Sequence, residues 1–172
     1  MIENSKIIAI VGPSGSGKDT AARMLADMTG YELLVSYTTR PMREGEQNGR
    51  EHIFVSSCET PQDQMLAYTQ YGGYEYWTEL SQIHDTAIYV IDESGLLELH
   101  NRFPDINIFS IHITASKLVR LKRGVTFERI SRDDLRGQLP LSYYDHRISN
   151  NKSLDALKHK IKDLSEIICS TQ

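Results

Sequence analysis

Hydrophobic and polar positions follow two different spacings that alternate along this chain. The apolar run 7–11 and the segment 87–92, which ends in a carboxylate, predict buried strands, and residues 31–36 and 107–113 predict two more strands. Apolar residues at helical spacing predict a helix that follows the glycine-rich segment and stops at Gly30, and another after Ser153. Residues 94–101 and a short segment after Ser116 also favour helix, and if residues 127–137 are helical, Arg129, Arg132 and Arg136 lie on one face. Because strands that alternate with helices form parallel sheets, the pattern predicts an α/β fold that binds ligands at the carboxyl ends of its strands.

The first and last predicted helices each show one apolar face. The predicted buried face of the first helix contains Ala21, Met24, Leu25 and Met28. The predicted buried face of the last helix contains Leu154, Leu157, Ile161, Leu164 and Ile168. The short helix after Ser116 holds Leu118 and Leu121, and residues 145–149 are only a weak candidate for a last strand.

The segment between residues 37 and 80 has a different character. Residues 37–50 are polar and contain Pro and Gly, so they predict a long loop, and loops of this length are usually functional or disordered. A strand-like run over 52–56 follows, and the Tyr-rich runs 65–71 and 74–78 flank Gly72 and Gly73 as in a hairpin. We therefore expect a small β-rich insertion in the α/β chain.

Composition places the chain among ordinary globular proteins. A length of 172 residues fits one domain, and 40% hydrophobic and 24% charged residues are typical values. The net charge of −4 predicts neither a nucleic-acid partner nor a membrane surface. The widely separated Cys58 and Cys169, the lack of signal-peptide features and the lack of a bilayer-length apolar run predict a cytoplasmic protein. The oligomeric state stays open.

A glycine-rich segment joins the first strand to the first helix, which is the context of a phosphate-binding P-loop. Its glycines let backbone N–H groups point inward, and the helix N-terminus adds partial positive charge. Lys18 would reach the β- and γ-phosphates of ATP. The simpler interpretation is a Gly/Ser turn. The predicted phosphate-binding residues are Gly12, Ser14, Gly15, Ser16, Gly17, Lys18, Asp19 and Thr20.

The residue after Lys18 departs from the P-loop pattern. This position normally carries a Ser or Thr whose hydroxyl binds Mg²⁺, but here it is Asp19, followed by Thr20. A carboxylate is a good ligand for Mg²⁺, and it is also favourable in the first turn of a helix. Both interpretations of Asp19 stay open.

The loop that begins at Ser36 resembles the S-x-T-T-R-x-x-R-x-G-E segment of the guanylate kinase family, and together with the P-loop it carries that resemblance over nearly the whole chain. The resemblance implies a P-loop three-layer α/β/α fold with a parallel core sheet, an acceptor-binding insertion and a short helical lid. It also implies transfer of the γ-phosphate of ATP, with Mg²⁺, to a nucleoside monophosphate such as GMP. Arg40 and Arg43 would clamp the acceptor phosphate, because planar guanidinium groups bind phosphate with two hydrogen bonds.

The same resemblance implies further acceptor-binding residues: Ser36, His52, Tyr76, Thr78 and Asp92. His52 stands where the family usually has a Tyr, and Ala67 stands where the family has the Glu that binds guanine. Glu75 is a nearby substitute for that carboxylate. Asp92 is the one carboxylate left of a D-x-D pair, and it either acts in the second shell of the metal, contacts the acceptor or caps the next helix.

The basic stretch after Ser116 resembles the family's lid. Arg120, Arg123 and Arg132 match arginines that close over the phosphates, and Lys18, Arg40, Arg123 and Arg132 are the predicted catalytic residues. The alternative is a helix stabilised by Glu128–Arg132 and Arg129–Asp133 pairs. Asn150 and Asn151 match the loop that borders adenine. The implied division is a core of 1–36, 81–122 and 138–172, an insertion of 37–80 and a lid of 123–137.

Two other functions compete with this prediction. Asp19, His52 and Ala67 also resemble ribose 1,5-bisphosphate phosphokinase, which would make the acceptor a phosphorylated sugar. The guanylate-kinase-like scaffold domains bind peptides without transfer, but they tend to have degraded P-loops, whereas Lys18 and the P-loop glycines are intact here.

Overall fold

The computed structural model describes residues 5–135 and 138–170, so Arg136 and the end of the predicted lid lie outside the described residues. The strands are β1 (Lys6–Val11), β2 (Glu32–Leu33), β3 (Tyr37–Thr38), β4 (Ile53–Phe54), β5 (Met65–Tyr71), β6 (Tyr74–Glu79), β7 (Thr86–Val90), β8 (Asn107–Thr114) and β9 (His146–Ser149). The helices are α1 (Lys18–Thr29), α2 (Glu93–Arg102), α3 (Lys117–Lys122), α4 (Phe127–Leu135) and α5 (Leu154–Ser170).

Five parallel strands form the core sheet in the order β2-β7-β1-β8-β9. β1 is buried along its whole length because helices cover both of its faces. Ile8 and Ile10 pack with residues of α1 and α5, whereas Ile7 and Ala9 pack with residues of α2. The three-layer α/β/α fold predicted from the sequence is therefore confirmed.

The two edge strands differ from the sequence-based expectation. Residues 31–36 were predicted as a strand, but β2 contains only Glu32 and Leu33, since the chain leaves the sheet there for the second sheet. Residues 145–149 were only a weak candidate, yet β9 pairs with β8 over four positions. The short length of β2 and the formation of β9 both depend on pairing with a strand that is distant in sequence.

The helices bury narrower faces than the sequence pattern indicates. α1 buries Ala21 and Leu25 as predicted and ends at Gly30, but Met28 is 36% exposed. In α5 the predicted face is buried except at Leu154, which lies in the first turn and is 63% exposed. The buried residue of α3 is Arg120, while Leu118 and Leu121 are exposed.

A second sheet contains the four strands between residues 37 and 79, in the order β4-β3-β6-β5. β5 and β6 are the predicted hairpin, and Gly72 and Gly73 form its turn with positive φ angles of 60° and 81°. Opposite positions in the hairpin include Ala67 and Thr78. The sheet places the hairpin and the 39–52 loop beside the carboxyl ends of the core strands.

Within residues 5–135 and 138–170, every helix is too short or too polar to span a bilayer.

Candidate active site

The segment from Gly12 to Lys18 turns between β1 and α1 as the sequence predicts. Gly17 has a φ of 94°, a left-handed conformation that an L-residue rarely adopts. Gly12 lies so close to β8 that a Cβ atom there would be 2.1 Å from the Ile113 carbonyl oxygen. The Ser16 hydroxyl is buried and has no hydrogen-bond partner among the described residues. A buried donor without a partner is consistent with a loop in which a ligand oxygen accepts that hydrogen bond.

The outward-facing carbonyl groups of this loop are held by side chains from later segments. Arg123 Nη1 donates to the carbonyl oxygens of Gly15 at 3.0 Å and of Ser16 at 3.3 Å. Asn150 Nδ2 donates to the Ser16 carbonyl oxygen at 2.8 Å. These bonds satisfy the carbonyl groups of Gly15 and Ser16 within the protein and so stabilise the shape of the loop.

A buried ion pair supports the loop from the opposite side. Arg120 Nη2 lies 2.6 Å from Asp133 Oδ2, and both side chains are 4% exposed. Arg120 Nε also donates to the Ser14 carbonyl oxygen at 2.7 Å, and the Ser14 N–H donates to Asp133 at 2.8 Å. Asp133 thus binds Arg120 rather than the Arg129 that lies one helical turn away, and Arg120 is a structural side chain of the loop.

The other predicted lid and adenine residues lie around the same loop. Arg123 is exposed and donates to the Asn150 carbonyl oxygen at 2.9 Å, while Arg132 is half-buried on α4. Asn150 is buried, and its side chain is used to hold Ser16. Asn151 accepts a hydrogen bond from the Ser116 N–H at 2.7 Å and so joins the start of α3 to the start of α5.

The first turn of α1 carries the candidate metal ligands. The Asp19 carboxylate is exposed and lies 3.7 Å from Lys18 Nζ, and Thr20 is exposed beside it. No cluster of three or more His, Cys, Asp or Glu side chains able to enclose a metal occurs in the described part of the chain. Mg²⁺ commonly takes one or two carboxylates and fills its shell with phosphate oxygens and water. Asp19 fits that arrangement as a single protein ligand.

Arg40 and Glu46 form the centre of the 39–52 loop. Two hydrogen bonds join the Arg40 guanidinium to the Glu46 carboxylate, at 2.8 and 3.0 Å, and the Arg43 N–H donates to the same carboxylate at 2.7 Å. These bonds, chiefly that from Arg40, lower the pKa of Glu46 from 4.5 to about 2 and raise that of Arg40. Arg40 is 7% exposed, whereas the Arg43 side chain projects into solvent.

The remaining acceptor-side residues are brought together next to this pair. His52 Nδ1 lies 2.8 Å from Ser36 Oγ, and its ring makes an edge contact with Tyr76. Burial lowers the pKa of His52, and the nearby Arg40 lowers it further, so the structure favours the neutral imidazole. A neutral His52 still has one N–H donor and one acceptor nitrogen for a ligand and Ser36 to share.

Two cavities border these groups. The loop cavity, of about 290 Å³, is lined by Asp19 and Arg23 of α1 together with Ser36, Glu46 and His52. The hairpin cavity, of about 390 Å³, lies between the β5–β6 hairpin and α2. Ser36 lines both cavities, so a ligand with one charged and one flat part could occupy them together.

Asp92 and Thr78, which are predicted to bind the acceptor, line the hairpin cavity, and both have protein partners. The Asp92 carboxylate accepts the Gly95 N–H at 2.8 Å and caps α2, which is the alternative that the sequence left open. Thr78 Oγ1 lies 2.9 Å from the Tyr89 hydroxyl, whose pKa burial raises to about 12.

Sequence reasoning missed a charged group on the wall of the loop cavity. Glu51 lies 2.6 Å from Arg50 and 3.6 Å from Arg23, so it joins the 39–52 loop to α1. The third arginine of the loop was visible in the sequence, but the approach of Arg23 from α1 depends on the fold. The partner of Asp133 was missed in the same way, because Arg120 lies on a different helix from the Arg129 that the sequence suggested.

Comparison with known proteins gives a consistent family. The family model described as guanylate kinase matches residues 4–167. A guanylate kinase of Gloeobacter violaceus is 31% identical over 90% of this chain and 84% of its own length. A guanylate kinase of Fusobacterium nucleatum is 29% identical over 94% of this chain and 95% of its own. The crystal structure of guanylate kinase from Anaplasma phagocytophilum has 19% identity and a TM-score of 0.68 over 99% of this chain and 87% of that one, which shows the shared fold.

The Arg120–Asp133 pair yields a stability prediction. We expect Arg120→Ala to lower the free energy of unfolding by about 3–5 kcal/mol, because it leaves a buried carboxylate without its cation. Lys117→Ala, which breaks the exposed Lys117–Asp134 pair, is the control and should cost less than about 1 kcal/mol. Urea unfolding measures both values. Equal losses in the two variants would contradict the structural role of Arg120.

The Arg40–Glu46 pair yields a pH prediction. Since folding lowers the pKa of Glu46, the pair stabilises the fold above about pH 4.5 and loses that effect as the pH falls toward 2. The difference in unfolding midpoint between wild type and Glu46→Gln should therefore shrink over this range. Glu44→Gln, in the same loop, is the control. The difference in unfolding midpoint between wild type and this variant should stay constant over the same pH range. A flat difference for Glu46→Gln would show that the pair does not form in solution.

Proposed function

Since the chain belongs to the guanylate kinase family, we propose that it transfers the γ-phosphate of ATP to GMP. The observation that carries the proposal is the P-loop, whose carbonyls are bound by later side chains while Asp19, next to Lys18, lines the loop cavity together with the acceptor-side groups. In the transfer, an oxygen of the acceptor phosphate forms a bond to the γ-phosphorus. The bond from the γ-phosphorus to the β,γ-bridging oxygen breaks, and ADP leaves.

Each part of the site has a proposed task in this reaction. The P-loop residues Gly12, Ser14, Gly15, Ser16 and Gly17 would hold the ATP phosphates. Lys18, Arg123 and Arg132 would stabilise the charge on the transferring group. Asp19, with Thr20 beside it, would hold Mg²⁺, which when bound neutralises charge on the phosphate oxygens.

The acceptor would occupy the two cavities that share Ser36. Its phosphate would lie in the loop cavity, which His52 and Glu46 line, where Arg40 is paired with Glu46 and the exposed Arg43 belongs to the same loop. Its base would lie in the hairpin cavity, which Tyr76, Thr78 and Asp92 line. Arg40 gives two of its donors to Glu46, so Glu46 orients Arg40 while the exposed Arg43 is free to move to the ligand. Asn150 and Asn151 would border the adenine of ATP.

The competing functions receive less support. The family match and the named relatives favour a nucleotide acceptor over a sugar phosphate. A scaffold role fits poorly with a P-loop that keeps Lys18, its glycines and an unpaired buried hydroxyl at Ser16. The free thiols Cys58 and Cys169 support the predicted cytoplasmic location.

Phosphate transfer tests the proposal directly. In a coupled ADP assay with ATP, Mg²⁺ and GMP, Lys18→Ala should lower kcat by on the order of 10²–10³, because it removes a positive charge from the transferring phosphate. Lys158→Ala, exposed on α5, is the control and should match wild type. A Lys18→Ala variant with wild-type kcat, or wild type without GMP-dependent ADP release, would overturn the proposed function.

The acceptor-phosphate assignment makes a separate prediction. Arg43→Ala should raise the KM for GMP about tenfold or more through the loss of a charged hydrogen bond, with little change in the KM for ATP. Arg43 suits this test because its side chain is exposed, so the fold should be unaffected. Arg147→Ala on β9 is the control. If only the KM for ATP rises, Arg43 acts on ATP and its assignment to the acceptor phosphate is wrong.

A further inference from the structure

The hairpin contributes no carboxylate to the cavity that would hold the acceptor base. Ala67 lies opposite Thr78 in the β5–β6 pairing, and both line the hairpin cavity. A methyl group offers no acceptor for the N–H groups of a purine. Any acidic group that binds the base must therefore come from another position or another element.

Glu75 does not fill this role. Side chains alternate between the faces of a strand, so Glu75 projects to the face opposite Tyr76 and Thr78. On that face its carboxylate accepts a hydrogen bond from the Tyr68 hydroxyl at 2.8 Å. The carboxylate of Glu75 is therefore bound within the hairpin, and Glu75 is not among the residues that line the cavity.

Helix α2 supplies the opposite wall of the cavity. Ser94, Gly95 and Glu98 lie on one helix face that borders the cavity, while Leu96 and Leu99 point into the core. Asp92 is already the cap of this helix. The carboxylate of Glu98 is 44% exposed and lies 3.2 Å from Arg102 Nη1 in an i,i+4 pair.

Arg102 fixes the position of Glu98 relative to the hairpin. Arg102 Nη2 donates to the Met65 carbonyl oxygen at 2.8 Å, and Nη1 donates to the Leu66 carbonyl oxygen at 3.3 Å. Its guanidinium also lies over the Phe103 ring. A carboxylate has about four acceptor sites, so Glu98 can bind Arg102 and still accept hydrogen bonds from a ligand.

We infer that Glu98 is the specificity residue that binds the Watson–Crick edge of the acceptor base, in place of the carboxylate missing at position 67. This inference rests on the proposed function. Guanine presents N1–H and an N2 amino group side by side, which match the two oxygens of a carboxylate. Hypoxanthine lacks the amino group, and adenine presents an acceptor at N1, so both would leave Glu98 incompletely bonded or repelled.

The test compares GMP, IMP and AMP as acceptors for wild type, Glu98→Ala and Glu98→Gln. The KM for GMP should rise about 10- to 100-fold in Glu98→Ala, while kcat at saturation stays close to wild type. The wild-type preference for GMP over IMP should fall about tenfold in the same variant. Glu98→Gln should give intermediate values, because its amide keeps one acceptor and can still bond Arg102.

Glu93→Ala is the matched control, since Glu93 lies on the same helix but lines a different cavity beside His112. It should keep the wild-type preference for GMP. A fold defect in Glu98→Ala would lower the unfolding midpoint and affect all three acceptors equally, whereas the inference requires a selective change. An unchanged GMP-to-IMP preference in Glu98→Ala would overturn the inference and leave the proposed function intact.

Calorimetric titration without ATP distinguishes a failure of the proposed function from a failure of the inference about Glu98. If wild type transfers phosphate to none of the three nucleotides, the proposed function is wrong. The affinities for GMP and IMP then test whether Glu98 binds the base. Tighter binding of GMP than of IMP to wild type, lost in Glu98→Ala, would support the inference. Equal binding of the two nucleotides to wild type would overturn it.

Discussion

The phosphate-binding loop keeps its shape because side chains from later segments bind its backbone from outside. Arg120 and Arg123 hold the carbonyls of Ser14, Gly15 and Ser16, and Asn150 adds a further bond to Ser16. With these carbonyls satisfied, the loop does not need to turn them inward to find partners. The order of the nucleotide site therefore depends on residues more than 100 positions away in sequence.

The acceptor side is built on a different principle. There, one partly buried ion pair between Arg40 and Glu46 organises a loop whose other charged side chains reach solvent. A rigid centre with an exposed Arg43 combines a fixed orientation with freedom to close on a ligand. The two cavities meet at Ser36, Tyr89 and Val90, which line both of them.

The parts of the fold that local pattern controls were predictable from sequence. The apolar run of β1, the stop at Gly30 and the turn at Gly72 and Gly73 depend on neighbours in the chain, and the structure has all of them. The edge strand β9 and the Arg120–Asp133 pair depend on partners far away in sequence, and local pattern cannot identify such partners. Asp92 illustrates the same limit in the site, because only the fold shows that its carboxylate caps α2.

The close approach of Gly12 to β8 affects how a saturation mutagenesis library of this protein should be interpreted. Every L-side chain at position 12 would bring a Cβ to within 2.1 Å of a backbone oxygen that β8 holds in place. Selection would therefore remove all substitutions at this position, including in a screen that scores only abundance of folded protein. Depletion of variants at Gly12 would therefore indicate a packing requirement where the strand meets the loop. Depletion at Lys18 that occurs only in an activity screen would indicate a requirement for its interaction with the nucleotide.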